Sequence, residues 1–220
     1  MNLFSILRDA WYFYSRNLLT LALLCLPLIA LEATLSHQIA NYVDEGSLTL
    51  ARLAISLAIY PLYSVPLILF LDARSNGHQP KVLDLLAAGL RFWPAFALLT
   101  GLATTAIMLG ASLFVLPGIW LMVKLAFAEY LLVLDRQTPL QALHASFKLT
   151  HGYFWPTLAC VLTLILPLWL VDGWSQSSLG VADDALKSIL IDIANRFLQL
   201  FSSIVLFRLF MLRSAQHKDV

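Results

Sequence analysis

Apolar residues gather into six long runs, near 18–36, 50–71, 95–114, 117–134, 154–171 and 189–212, separated by short polar connections. A helix needs about 20 mainly apolar residues to cross a hydrocarbon core, and these runs supply that or come close. The pattern predicts an all-α polytopic membrane protein with six transmembrane helices in a bundle. No Ser/Gly/Pro-rich linker interrupts the runs, so 1–220 reads as a single membrane domain. The longest polar connection, near 173–187, has room for a turn or one brief helix.

Shorter amphipathic patterns precede spans one, three and five, giving a weak three-fold internal repeat. Leu3, Leu7, Trp11, Tyr14 and Leu18 form one stripe, opposite Ser5, Arg8, Asp9, Tyr12 and Arg16. Leu83, Leu86 and Leu90 oppose Lys81, Asp84, Ala88 and Arg91; Leu140, Leu143 and Phe147 oppose Gln141, His144, Lys148 and His151. Apolar residues at three- and four-residue steps define a helix face. Helices too short to span are expected to lie flat in the cytoplasmic interface. Pro80 and Pro139 suit first-turn positions, with Thr138 as a cap. Spans three and five then open alike, with Phe92-Trp93-Pro94 and Phe154-Trp155-Pro156, aromatic pairs suited to headgroup level.

Charge gives the orientation. Arg8, Arg16, Arg74, Lys81, Arg91, Arg136, Lys148, Arg208, Arg213 and Lys218 fall on alternate connections. The other side carries only Arg52 and Lys187, and its loops hold Asp44, Glu45, Asp172, Asp183 and Asp184. Lys/Arg in short loops mark the cytoplasmic side, so both termini are expected there. At 60% hydrophobic and 12% charged, the chain is far from a soluble domain, where about 25% charged is usual. The net charge of +1 reflects cancelling sides, and no basic run points to nucleic acid. A cleavable leader is not expected: the segment before span one is long, aromatic and carries Asp9, and Glu32 stands where a cleavage site would be sought.

Candidate chemistry is sparse. There is no phosphate-binding Gly loop, nucleophile elbow or zinc-ligand spacing, so no catalytic residue, cofactor or metal is expected. Cys25 and Cys160 lie in apolar spans and read as small hydrophobes. His144 and His151, two turns apart, are about 10 Å from each other, too far to chelate one ion.

Four ionisable residues do lie inside spans: Glu32, Lys124, Glu129 and Arg196. A charge at mid-bilayer costs at least about 2.5–3.5 kcal/mol, so each needs a partner, water or a route to the interface. At 1.5 Å per residue, Glu32 is about 21 Å, Lys124 about 17 Å and Arg196 about 18 Å above the cytoplasmic ends of their spans. Glu129 is only about 9 Å up and can reach inward by itself. Three readings follow. The first is a polar cluster lining a path for substrate or protons. The second is a neutralising contact between spans one, four and six, helped by Asp192; in the third, Arg196 snorkels outward. Pro27, Pro61, Pro66 and Pro167 are expected to kink or break their spans. Ala97, Gly101 and Thr105, with Ala106 and Gly110, suggest that span three is the centre of the bundle.

Several segments resemble the YciC family of bacterial inner-membrane proteins. They are Arg8-Asp9 with Arg16-Asn17, Leu116-Pro117-Gly118, Ser146-Phe147-Lys148-Leu149-Thr150, and the ending Phe207-Arg208-Leu209-Phe210-Met211-Leu212. The stretch from span four to span five is also similar to membrane portions attached to some glycerophosphodiester phosphodiesterases, but this chain carries no hydrolase domain. The loop near 37–49 is shorter than in the YciC relatives, so nothing assigned to it carries over. The resemblance implies a six-span protein of the Gram-negative inner membrane and implies no reaction. The expectation is a non-enzymatic envelope-organising or lipid-interacting membrane protein. Its partners would be membrane lipids and other proteins of the inner membrane or envelope. The alternative is a small transporter or lipid-handling protein that uses the polar cluster.

The orientation has a direct test: a reporter active only in the periplasm, fused after Val220, is expected to stay silent. Strong periplasmic signal there would refute the topology.

Overall fold

The apolar runs fold as helices because lipid offers no partner for free backbone groups, and a helix satisfies them within one segment. The computed structural model describes residues 3–40, 42–152, 154–178 and 185–218. Asp183 and Asp184 lie outside these. The described residues form α1 (Leu3–Arg16), α2 (Leu18–Ile39), α3 (Glu45–Ser75), α4 (Val82–Leu113) and α5 (Val115–Leu125). These are followed by α6 (Ala128–Leu134), α7 (Pro139–Leu149), α8 (Phe154–Ser178) and α9 (Ala185–Lys218). Six stretches are long and apolar enough to cross a membrane, supplied in order by α2, α3, α4, α5 with α6, α8 and α9.

The centre of the bundle is α3, not span three. Half of the most apolar window of α3 is buried, against 22% of that of α4. Val65, Leu67, Ile68, Phe70 and Leu71 are all nearly inaccessible. The small residues at the middle of α4 do not make the close approach: a Cβ on Gly101 would meet nothing nearer than Leu57 at 3.9 Å. Close approach occurs at Gly89 instead, where a Cβ would stand 3.0 Å from Pro66 and 3.2 Å from the Leu62 carbonyl. That carbonyl is the one whose helical donor Pro66 removes. The prolines do not break their helices: α2, α3 and α8 run on through Pro27, Pro61, Pro66 and Pro167. In the turn preceding Pro61, the Trp93 indole N–H donates to the Ala58 carbonyl at 2.6 Å.

The amphipathic segments pack on the spans through faces that only partly coincide with the stripes of bulky residues. In α1 the buried face is Ile6, Ala10 and Tyr14, packed on α9, while Trp11 is exposed. The Tyr14 ring lies 5.9 Å from those of Phe197 and Phe201. Burial raises the Tyr14 pKa, with the Cys25 thiol adding to the shift, so the phenol stays a neutral donor towards the Phe197 carbonyl at 3.4 Å. The second segment is not a separate helix, because α4 continues through Trp93 and Pro94. The third, α7, opens with Pro139, and the Thr138 N–H donates to Gln141 Oε1 at 3.2 Å. It packs on α6 through Ala142 and Ser146, leaving Leu140 exposed. In each case the buried face holds a small residue, Ala10, Gly89 or Ala142. Small residues let backbones approach, whereas a stripe drawn through the bulky residues misses them.

Two irregular points interrupt spans three and four. The chain turns at Phe114, whose backbone is extended (φ −159°, ψ 154°), and Leu116-Pro117-Gly118 falls in the first turn of α5. Span four then breaks between α5 and α6. There the Phe127 N–H donates to Ser146 Oγ at 3.2 Å, and Ser146 Oγ–H donates to the Lys124 carbonyl at 2.7 Å. Thr150 Oγ1 reaches the same carbonyl at 3.3 Å. The Ser-x-Lys-Leu-Thr segment thus satisfies the backbone groups freed by the break.

The α4–α5 hairpin is the tightest contact. A Cβ on Gly118 would lie 2.9 Å from Ala111 Cα and 3.0 Å from its nitrogen, both backbone atoms that cannot swing aside. Gly118→Leu is expected to destabilise the protein in detergent by about 1–3 kcal/mol or more, whereas Gly101→Ala should be near neutral. Thermal unfolding of the two variants checks this, and equal midpoints would refute the close approach.

Candidate functional site

The ionisable residues inside the spans are organised by two tyrosines on α3. Tyr60 and Tyr63 lie three residues apart, a spacing that puts both on one helix face. Their rings meet edge to face at 5.4 Å. From this pair, polar contacts run in both directions across the bundle.

On one side Tyr63 OH donates to Glu32 Oε2 at 3.1 Å, and Arg196 Nη1 donates to Glu32 Oε1 at 2.6 Å. Glu32 is fully buried, while the Arg196 side chain is 31% exposed. Each carboxylate oxygen therefore has its own donor, the condition under which a buried ion pair is tolerated. On the other side Tyr60 OH donates to both oxygens of Glu129, at 3.1 and 3.0 Å. The neighbouring Tyr130 OH donates to the Ser203 carbonyl at 2.9 Å, tying α6 to α9.

Glu129 and Tyr60 sit on the wall of a cavity of about 420 Å³ between α3, α4, α5, α6, α8 and α9. Its walls are mainly apolar, with Ser56, Thr100, Thr104 and Ser202 as further polar groups. No Lys, Arg or His lines it. A volume of this size is within the range of small-molecule pockets, about 300–1,000 Å³.

The four residues singled out by sequence are thus divided. Glu32 and Arg196 meet directly. Glu129 is linked to them through Tyr60 and Tyr63, and does not reach inward alone. Lys124 does not join Glu32: it is 8% exposed, with its ammonium 6.0 Å from the Trp120 ring centre. A similar height along two spans does not bring their side chains together, since α5 packs on α4, α7 and α8 while α2 packs on α3 and α9. The two tyrosines went unnoticed in the sequence. The legible signal was Tyr60-x-x-Tyr63, a polar-tipped aromatic pair on one face of an apolar span. Among the described residues no group of three His, Cys, Asp or Glu is placed to hold a metal.

Residues 46–212, which take in Tyr60, Tyr63, Lys124, Glu129 and Arg196 but not Glu32, match the uncharacterised protein family UPF0259. The chain is similar to a UPF0259 membrane protein of Pectobacterium carotovorum subsp. carotovorum (strain PC1), with 26% identity over 145 residues. That match covers 64% of this chain and 56% of the relative, so the chain spans little more than half of the relative's length. No solved structure matches. The resemblance to the YciC family is consistent with these findings, and the chain belongs to the uncharacterised protein family UPF0259.

Proposed function

We propose that this protein is a non-enzymatic integral protein of the bacterial inner membrane, with both termini in the cytoplasm, that interacts with membrane lipid. Its partners are lipids and other proteins of the inner membrane or envelope. The observation that carries the reading is the apolar-walled cavity ending on the Glu129 carboxylate. An apolar wall of this kind suits an acyl chain, and the Ser, Thr and Tyr groups around it suit the polar part of an amphiphile.

A second reading, a small transporter, is favoured by one specific feature. Hydrogen bonds from Arg196 through Glu32 to Tyr63 and from Tyr60 to Glu129, joined by the ring contact of the two tyrosines, connect a partly exposed cation to the cavity wall. A polar string inside a membrane bundle is a common element of substrate or proton paths.

Two measurements test and separate these readings. Ala103→Trp fills the cavity and is expected to lower the amount of lipid retained on purification in mild detergent severalfold, read by lipid mass spectrometry. Unchanged retention would refute the cavity as the lipid site. Arg196→Gln leaves Glu32 buried without its cation. It is expected to cost about 3 kcal/mol, at the low end for breaking a buried pair, because Arg196 is 31% exposed. Glu32→Gln should cost less, since the freed Arg196 can turn to the interface, and the double variant should lose less than the sum. Loss of a cellular phenotype in Glu32→Gln with stability intact would move the conclusion to transport.

A further inference from the structure

Lys124 is the anomaly of the bundle. It is 8% exposed, lies within the fourth span, and makes no ion pair among the described residues. The Trp120 ring at 6.0 Å is at the limit of cation–π attraction and neutralises little of its charge. A cation held in apolar surroundings without a counter-ion is costly, so something else must compensate it.

The surroundings of Lys124 indicate what does. It opens onto a depression shared with the exposed side chains of Lys148 and His151, floored by Trp120 and Phe147. Those two rings meet edge to face at 5.7 Å. No carboxylate lines the depression. Asp135 borders an adjoining one that shares Lys148, but forms no ion pair with it. Three basic side chains from α5, α7 and the turn after α7 thus line one depression that offers them no acidic partner and suits an anion.

The geometry points to a site for the phosphate of an anionic membrane lipid. Lys124 and Lys148 are its charged contacts, His151 is a further donor, and Trp120 and Phe147 lie against the glycerol and upper acyl chain. A lipid phosphate fits better than a solvent-borne one because the same face of the hairpin carries exposed Leu116 and Trp120, which favour acyl chains. Basic pockets between membrane helices are a recurrent way of holding such headgroups. The site rests on the lipid-interacting reading but is separate from the Glu129 cavity. The Ser146 hydroxyl fixes it by donating to the Lys124 carbonyl, with Thr150, bonded chiefly to the Ser146 carbonyl, close by.

The test is thermal unfolding of the full chain, delipidated in neutral detergent, with added dioleoyl phosphatidylglycerol, dioleoyl phosphatidylcholine or sodium phosphate. Wild type is expected to gain several degrees with phosphatidylglycerol, rising with concentration as a specific ligand requires, and little with phosphatidylcholine. Lys124→Met should raise the lipid-free midpoint, because it removes an uncompensated charge, and should abolish the phosphatidylglycerol increment. Lys148→Gln, at an exposed position, should leave the lipid-free midpoint near wild type and weaken phosphatidylglycerol binding about fivefold. Ala103→Trp should keep the increment, so failure of the cavity and failure of this site are told apart. Equal gains from the two lipids in wild type, or an intact increment in either lysine variant, overturn the site. An equal gain from sodium phosphate alone overturns its assignment to lipid.

Discussion

Holding the Glu32 carboxylate, which no solvent reaches, demands one arrangement of three helices. Oε1 needs the guanidinium from α9 and Oε2 the phenol from α3, and both are satisfied only when α9 and α3 flank α2 together. Lipid supplies no hydrophobic drive for helix association, so such polar contacts and close packing set the register. The same α3 face carries Tyr60, which positions Glu129 and with it the wall of the cavity. Lower down, Arg74 Nη2 donates to Asn17 Oδ1 at 3.1 Å and pins the α1–α2 junction to α3. The core of the bundle is therefore a column on α3 from which polar contacts radiate.

The backbone obeys the same requirement. Span four could not break inside the bundle unless its freed groups were satisfied, and the break occurs where Ser146 and Thr150 arrive. The short connection 135–138 returns α7 alongside α6, which brings the far end of α7 to the start of α6. A segment whose sequence looks like a family signature is thus a structural clasp. Its hydroxyls supply what a continuous helix would have supplied itself.

The spans were legible because hydropathy adds up along a run of about 20 residues and tolerates local errors. Pro61 and Pro66, which suggested breaks, did not override that sum, since Trp93 and the close approach at Gly89 accommodate the altered turns. What depended on direction around a helix axis was poorly legible. Bulky stripes on α1 and α7 were offset from the fully buried faces, which include Tyr14 but are set by Ala10 and Ala142 packing inward. Lys124 was grouped with Glu32 by depth alone, and depth fixes only one of the three coordinates needed for a contact. Tyr60 and Tyr63 carry no net charge, so the charge pattern alone does not reveal the residues that connect Glu32 and Glu129.

The two kinds of buried charge in this bundle are treated differently, and the difference follows from what surrounds them. Each acid is given internal donors: Arg196 and Tyr63 for Glu32, Tyr60 for Glu129. Lys124 is given only a distant ring. In a bilayer this asymmetry has a physical basis, because bacterial and other cytoplasmic leaflets offer mobile anions as lipid headgroups, each worth roughly 1 kcal/mol per nearby basic residue. A buried cation that opens onto a depression beside the exposed Lys148 and His151 can recruit its counter-ion from the membrane. A buried acid has no comparable source of lipid cations and draws its hydrogen-bond donors from within the fold. The internal polar column on α3 and the bare Lys124 are then two solutions to one electrostatic problem. The first fixes the bundle, and the second leaves one valence of it open to the membrane.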